Sequence, residues 1–142
     1  MNLTKLFSLV ISLIICFQTT VSTKENFFTE GVKLFEQKRY LDSKFKFEQD
    51  IVFNPKSELS YLYLAKIFKG KNNDNLTEQN LDTVILINPQ NEEALYEMIV
   101  LKIKKSDFTK TEKLLENFSK ICSSLCSKKK ELNNLLIDSQ KK

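Results

Sequence analysis

Two Asn-Pro pairs, Asn54-Pro55 and Asn88-Pro89, stand thirty-four residues apart, and each closes a stretch with the same order of large and small apolar residues. A period of this length means that one supersecondary unit is copied, and that no copy can hide its apolar side alone. In register the copies run Lys24–Ser57, Glu58–Asn91 and Glu92–Leu125. The first sets Phe27, Gly31, Leu34, Tyr40, Ser43, Phe47 and Pro55 at positions 4, 8, 11, 17, 20, 24 and 32. The second fills positions 4, 7, 8, 11, 20, 24 and 32 with Tyr61, Leu64, Ala65, Phe68, Thr77, Leu81 and Pro89. The third keeps Leu95, Met98, Phe108, Thr111, Leu115 and Phe118, but Ile99 replaces the small residue and Ser123 replaces the proline.

Within each copy the apolar residues recur every three or four positions, the period of an amphipathic helix. Small residues at 8 and 20 let two antiparallel helices approach closely, large ones fill the gap, and proline, lacking an N–H, ends the second helix. Two glycines and two prolines in 142 residues are too few for a loop-rich fold. An all-α chain is expected, a short α-solenoid of three helix-turn-helix hairpins. The expected helices start near Asn26, Tyr40, Glu58, Leu76, Glu92 and Phe108. Asn75-Leu76-Thr77-Glu78 has the spacing of a capping box. The first helix, with Phe27, Phe28, Val32, Leu34 and Phe35, is apolar nearly all round and is expected to be covered on more than one side.

This pattern resembles the tetratricopeptide repeat, over roughly Lys24 to Leu125. The resemblance implies that the tail, residues 126–142, forms a helix capping the last hairpin, with Leu132, Leu135 and Leu136 on one face. It also implies that function lies in a groove lined by the first helix of each hairpin. Carried over position by position, the groove residues are Phe28, Val32 and Phe35, then Leu62, Tyr63, Lys66 and Lys69, then Glu93, Tyr96, Glu97 and Val100. An aromatic floor with a basic stripe and then acids suits a protein or peptide segment as partner. The branch of the family that grips chaperone C-termini places lysine and asparagine at groove positions where this chain has Phe28, Val32, Tyr63, Glu93 and Glu97, so that ligand is not expected. The alternative is that three repeats curve too little to leave a groove, and these residues bury one another or receive the last helix.

Residues 1–23 read as an export signal: Lys5, an apolar run from Leu6 to Phe17, and a polar tract with small residues at Thr20-Val21-Ser22. Two other readings stand beside it. Leu13-Ile14-Ile15-Cys16 resembles a bacterial lipoprotein box, which would lipidate Cys16, although Ile15 stands where that pattern has a small residue. The uncharged interval from Lys5 to Lys24 is also near the minimum for a retained membrane anchor. The expected localisation is therefore exported, periplasmic or secreted, with membrane anchoring through the N-terminus as the alternative.

The net charge of +4 comes almost wholly from lysine mixed with eighteen acidic residues, and Arg39 is the only arginine. That is a solvated surface rather than a nucleic-acid footprint. A chain with no histidine lacks the commonest general base and metal ligand. No phosphate loop, nucleophile elbow or paired-carboxylate signature appears, so no catalytic residue, cofactor or metal is expected. Cys122 and Cys126 fit either a short disulfide that fixes how the last helix leaves the repeat or two small buried apolar residues. The functional expectation is an exported, non-enzymatic adaptor binding a protein or peptide through its concave face. Its alternative is a membrane-anchored lipoprotein serving as accessory subunit of an envelope or outer-membrane protein assembly complex.

Overall fold

The computed structural model describes residues 26–141; the expected leader, Cys16 and the retained-anchor alternative fall outside that range. Among the described residues there are seven α-helices and no strand. Three hairpins are formed by α1 (Phe27–Glu36) with α2 (Tyr40–Phe53), α3 (Glu58–Gly70) with α4 (Asp74–Ile87), and α5 (Glu92–Lys104) with α6 (Phe108–Ile121). A 3-10 turn, Cys126–Lys128, then leads into α7, Lys129–Gln140. The chain is an all-α solenoid.

Local chemistry sets the helix ends. Asn26, Asn73, Asn91 and Asp107 each accept a bond from the backbone N–H three residues on, satisfying one orphan donor of the first turn. The cap of α4 is therefore Asn73 rather than the expected Asn75, which lies inside the helix. The reason is the turn before it: Asn72 takes a left-handed conformation with φ 54°, and this delivers Asn73 to the cap. Lys38 (φ 60°) and Ser106 (φ 59°) do the same at the equivalent place in the other hairpins. At each turn the next amide returns to a carbonyl five residues back, Arg39 to Leu34, Asn73 to Phe68 and Asp107 to Lys102.

Inside each hairpin, position 20 is a small hydroxyl residue with almost no exposure: Ser43 0%, Thr77 3% and Thr111 0%. The Ser43 hydroxyl donates to the Gly31 carbonyl at 2.8 Å, fastening α2 to α1 across the tightest part of the first pair. A Cβ on Gly31 would lie 2.7 Å from Phe47 Cε1, so the buried Phe47 ring occupies the space that glycine leaves. In the third hairpin the opposite choice is made, for Ile99 is fully buried in one cluster with Leu115, Phe118 and Leu132. The large residue there is lodged partly against α7 instead of demanding closer helices.

The thirty-four-residue register continues into α7, where Leu132 and Leu136 fall at positions 7 and 11, and both are buried against Leu95, Ile99 and Phe118. The last helix thus takes the place of the first helix of a fourth copy, at the end of the stack. Among the described residues the outward side of α1 is polar, whereas the last helix exposes Leu135 and Ile137. Where α3 and α5 present Ser60, Leu64, Ile67 and Ala94, Met98, Leu101, all buried, α1 presents Asn26, Glu30 and Lys33, all exposed. On α7, Asn133 is exposed at the position where the earlier first helices bury Gly31, Ala65 and Ile99. α1 is covered on more than one side, as expected, by Phe47 of α2 and by Tyr63, Leu64 and Ile67 of α3. Its Phe27, Phe28, Val32, Leu34 and Phe35 are half-buried, α1 being the first helix among the described residues.

Gly31→Ala is expected to destabilise the chain by about 1–3 kcal/mol through overpacking against Phe47. Gly70→Ala, where an added Cβ meets nothing within 4 Å, should cost nothing. Thermal unfolding of the two variants side by side measures the difference.

Candidate functional site

The expected groove residues lie on α1, α3 and α5, which form the inner layer of the solenoid, while α2, α4 and α6 form the outer one. Phe28, Val32, Phe35 and Tyr63 come together as a half-buried floor around Phe47, Leu64 and Ile67. The Tyr63 ring is its centre. It stacks on Phe47 at 4.9 Å between centroids and meets the edges of Phe35 at 5.1 Å and Phe28 at 6.0 Å. Such edge and offset contacts are the favoured geometries of aromatic pairs and hold the ring in one orientation.

Leu62 is different. It is 3% exposed, in the cluster of Ala65, Leu81, Val84, Ala94 and Met98, so its side chain belongs to the core between second and third hairpins and is not on the groove surface. Its helical position is that of a groove residue, but a leucine there gains more by turning into the adjacent apolar seam than by facing solvent.

The lysine stripe on α3 and the acids on α5 are not free to face a ligand separately. Lys66 pairs with Glu93 at 2.8 Å and Lys69 with Glu97 at 2.5 Å, tying the two helices together. Lys66 Nζ also lies 4.9 Å from the Tyr63 ring centroid, a cation–π contact. Tyr96 donates its hydroxyl proton to Glu131 at 2.8 Å, and Lys128, itself paired with Glu131 at 2.8 Å, lies 5.9 Å over its ring. The bond to Glu131 raises the Tyr96 pKa, and Lys128 followed by Tyr96 holds the Glu131 carboxyl below its ordinary value. Val100 is half-buried beside this group. The start of the last helix therefore closes over the Tyr96 end of the inner face and leaves the Tyr63 end open. A cavity of about 520 Å³ remains beside Tyr96, lined by Gln90, Glu93, Glu97, Leu125 and Lys128 among others.

Glu92 does more than its charge near a helix N-terminus suggests. Its carboxylate accepts from Ser123 N at 2.8 Å, Ser123 Oγ at 2.7 Å and Leu125 N at 2.7 Å, with longer bonds from Ser124 N and Oγ. Cys122 and Cys126 are joined as a disulfide, with α-carbons 5.2 Å apart, around those same three residues. The turn that has lost its proline is thus held by a carboxylate inside a covalent loop. A signal for it exists in the sequence, since Glu58 stands at the same repeat position and binds Asn88 and Asn91 at the end of its own copy.

A buried charge, Lys102, is 5% exposed at a position where the other copies have Leu34 and Phe68. Burial works against its charge, but bonding to Glu78 outweighs this and its pKa is raised. Glu78, bonded to Lys102 and Lys105, is lowered to about 2. This is a tie between α4 and α5. Among the described residues no group of His, Cys, Asp or Glu is placed to hold a metal, and no helix is long and apolar enough to cross a membrane.

The bonds from Ser123 and then Leu125 lower the Glu92 pKa to about 2. Because the folded value lies below the ordinary glutamate range near 4.3, the stabilisation is complete above that range and is lost as pH falls toward about 2. Glu92→Gln should therefore unfold at lower temperature than the parent at neutral pH, and the two should converge as pH approaches about 2. Thermal melts across that window, with amide exchange at Ser123 to Leu125, measure it.

Neither a family model nor a curated relative matches the sequence. Solved structures do. The Yersinia enterocolitica type III secretion chaperone SycD, in complex with a peptide of the translocator YopD, is similar with a TM-score of 0.70 at 11% identity, over 87% of this chain and 96% of that one. The first TPR domain of Spaghetti (RPAP3), bound to the HSP90 peptide SRMEEVD, gives 0.65 at 13%, over 81% and 90%. The Sgt2 TPR domain from Aspergillus fumigatus gives 0.63 at 10%, over 85% and 79%. With identities this low the likeness is one of architecture, and the architecture of this chain is that of the tetratricopeptide repeat.

Proposed function

We propose that this chain is a non-enzymatic adaptor of an exported compartment that binds an extended segment of a protein partner along the inner face of α1, α3 and α5. The observation that carries this reading is the Phe28, Phe35 and Tyr63 floor, a rigid aromatic surface held half-open by the two hairpins beneath it. Aromatic anchors of this kind supply most of the energy when a segment docks, because they bury a large area at little entropic cost. Two of the similar structures are described as bound to peptides, which supports the same mode here.

The pairing of Lys66 with Glu93 and of Lys69 with Glu97 defines what the partner segment is not. With its cations already engaged, the face has no free positive cluster to take an acidic terminus, so apolar side chains drive binding and salt has little effect. The Cys122–Cys126 disulfide fits an oxidising compartment, in line with the leader-like N-terminus.

Tyr63→Ala combined with Tyr96→Ala is expected to lower affinity for the captured partner at least tenfold, corresponding to about 1.4 kcal/mol. Circular dichroism should show the helical fold retained. Unchanged capture by a folded double variant would remove the groove assignment. An acidic peptide such as SRMEEVD should show no saturable binding by calorimetry.

A further inference from the structure

The outer face of α2 carries a row of large apolar side chains in water. Leu41 is 71%, Phe45 59%, Val52 73% and Phe53 76% exposed. The repeat does not require them. At the equivalents of Leu41, Phe45 and Val52, α4 has Asn75, Gln79 and Leu86, and α6 has Thr109, Lys113 and Lys120. An apolar row confined to one of three equivalent faces, and covered by none of the described elements, is fitted for contact with another surface.

We propose that this surface is a second copy of the chain, whose own α2 lies antiparallel across the first about a two-fold axis. Leu41, Phe45, Glu48 and Val52 recur at spacings of four, three and four, the d-a-d-a seam of a helix pair. Antiparallel pairing about the midpoint of this seam, between Lys46 and Phe47, sets Leu41 on the second copy's Val52. Phe45 then meets the aliphatic part of Glu48. The Glu48 carboxylate is already neutralised by Lys44 on the same helix, at 2.6 Å, so no bare charge enters the seam. No two like charges face each other across this seam, since the flanking positions set Asp42 beside Gln49 and Lys44 beside Ile51, while Phe47 stays in the core on the opposite side of the helix. Self-complementarity of this sort is what a two-fold interface demands. An anionic bilayer is the poorer occupant, because Glu48 lies inside the row and Asp42 beside it. A single pair of fourteen-residue helices is a small contact against the ~1,200 Å² of a standard complex, so the association is reversible and concentration-dependent.

Sedimentation velocity of the full chain from micromolar to near-millimolar concentration tests this. The mass should double with concentration. Phe45→Glu should raise the dissociation constant at least tenfold, while Gln79→Glu, at the equivalent place on α4, should leave it unchanged. Leu41→Lys and Val52→Glu should each weaken the dimer. The two together in one chain should restore it, since the ammonium introduced on each copy would then face the carboxylate introduced on the other. A mass that stays monomeric throughout overturns the proposal, as does a dimer indifferent to Phe45→Glu, or single variants that weaken the dimer with no rescue by the pair. A monomer that co-sediments with phosphatidylglycerol vesicles and loses this with Phe45→Glu also overturns it, in favour of a lipid surface.

Discussion

The architecture depends on how closely two antiparallel helices can approach inside one hairpin. In the first copy that approach is set by a glycine: the Phe47 ring fills the place where a Cβ on Gly31 would stand, and the Ser43 hydroxyl binds the Gly31 carbonyl. Packing at this density has no slack, so the two helices behave as one rigid plate. Once the plate is rigid, its neighbours can only be laid on it in one way. The second hairpin adds its Leu64 and Ile67 to Phe47, and the third adds Ala94 and Met98 to Leu81 and Val84. Curvature, inner face and outer face all follow from repeating that step.

The inner face inherits its chemistry from the same geometry. Tyr63 has its orientation because Phe47, the residue that locks the first hairpin, also forms the platform on which its ring stacks. The aromatic floor is thus continuous with the core rather than placed upon it, which keeps it preformed for a ligand. Farther along, ion pairs between α3 and α5 and the contacts of Glu131 and Lys128 with Tyr96 substitute for aromatic packing. The face therefore changes character along its length, from apolar and open at the first hairpin to polar and partly covered at the last.

Much of this is legible in the residues. The period, the six repeat helices and the capping role of the tail can be read because each copy reuses the same positions, so that errors in one are corrected by the others. Inward and outward turns of single side chains are less legible. Leu62 has a groove position by register, yet it is buried in the seam with Ala94 and Met98. The lysines and glutamates of the inner face look like separate stripes because nothing in a linear sequence says that residues on successive hairpins, such as Lys66 and Glu93, are ion-pair neighbours. Asn73 displaces Asn75 as a cap because the left-handed turn at Asn72 decides which asparagine reaches the helix end. Glu92 reads as a helix-end charge alone, although Glu58 at the same repeat position hints at its second task of holding the closing turn.

The claim that the inner layer is the working surface is tested most directly by hydrogen–deuterium exchange on the chain with and without its captured partner. The account predicts slowed exchange in α1 and α3, around Phe28, Phe35 and Tyr63, with α4 and α6 unchanged. Protection confined to α4 and α6, with the α1 and α3 amides exchanging as in the free chain, would contradict it.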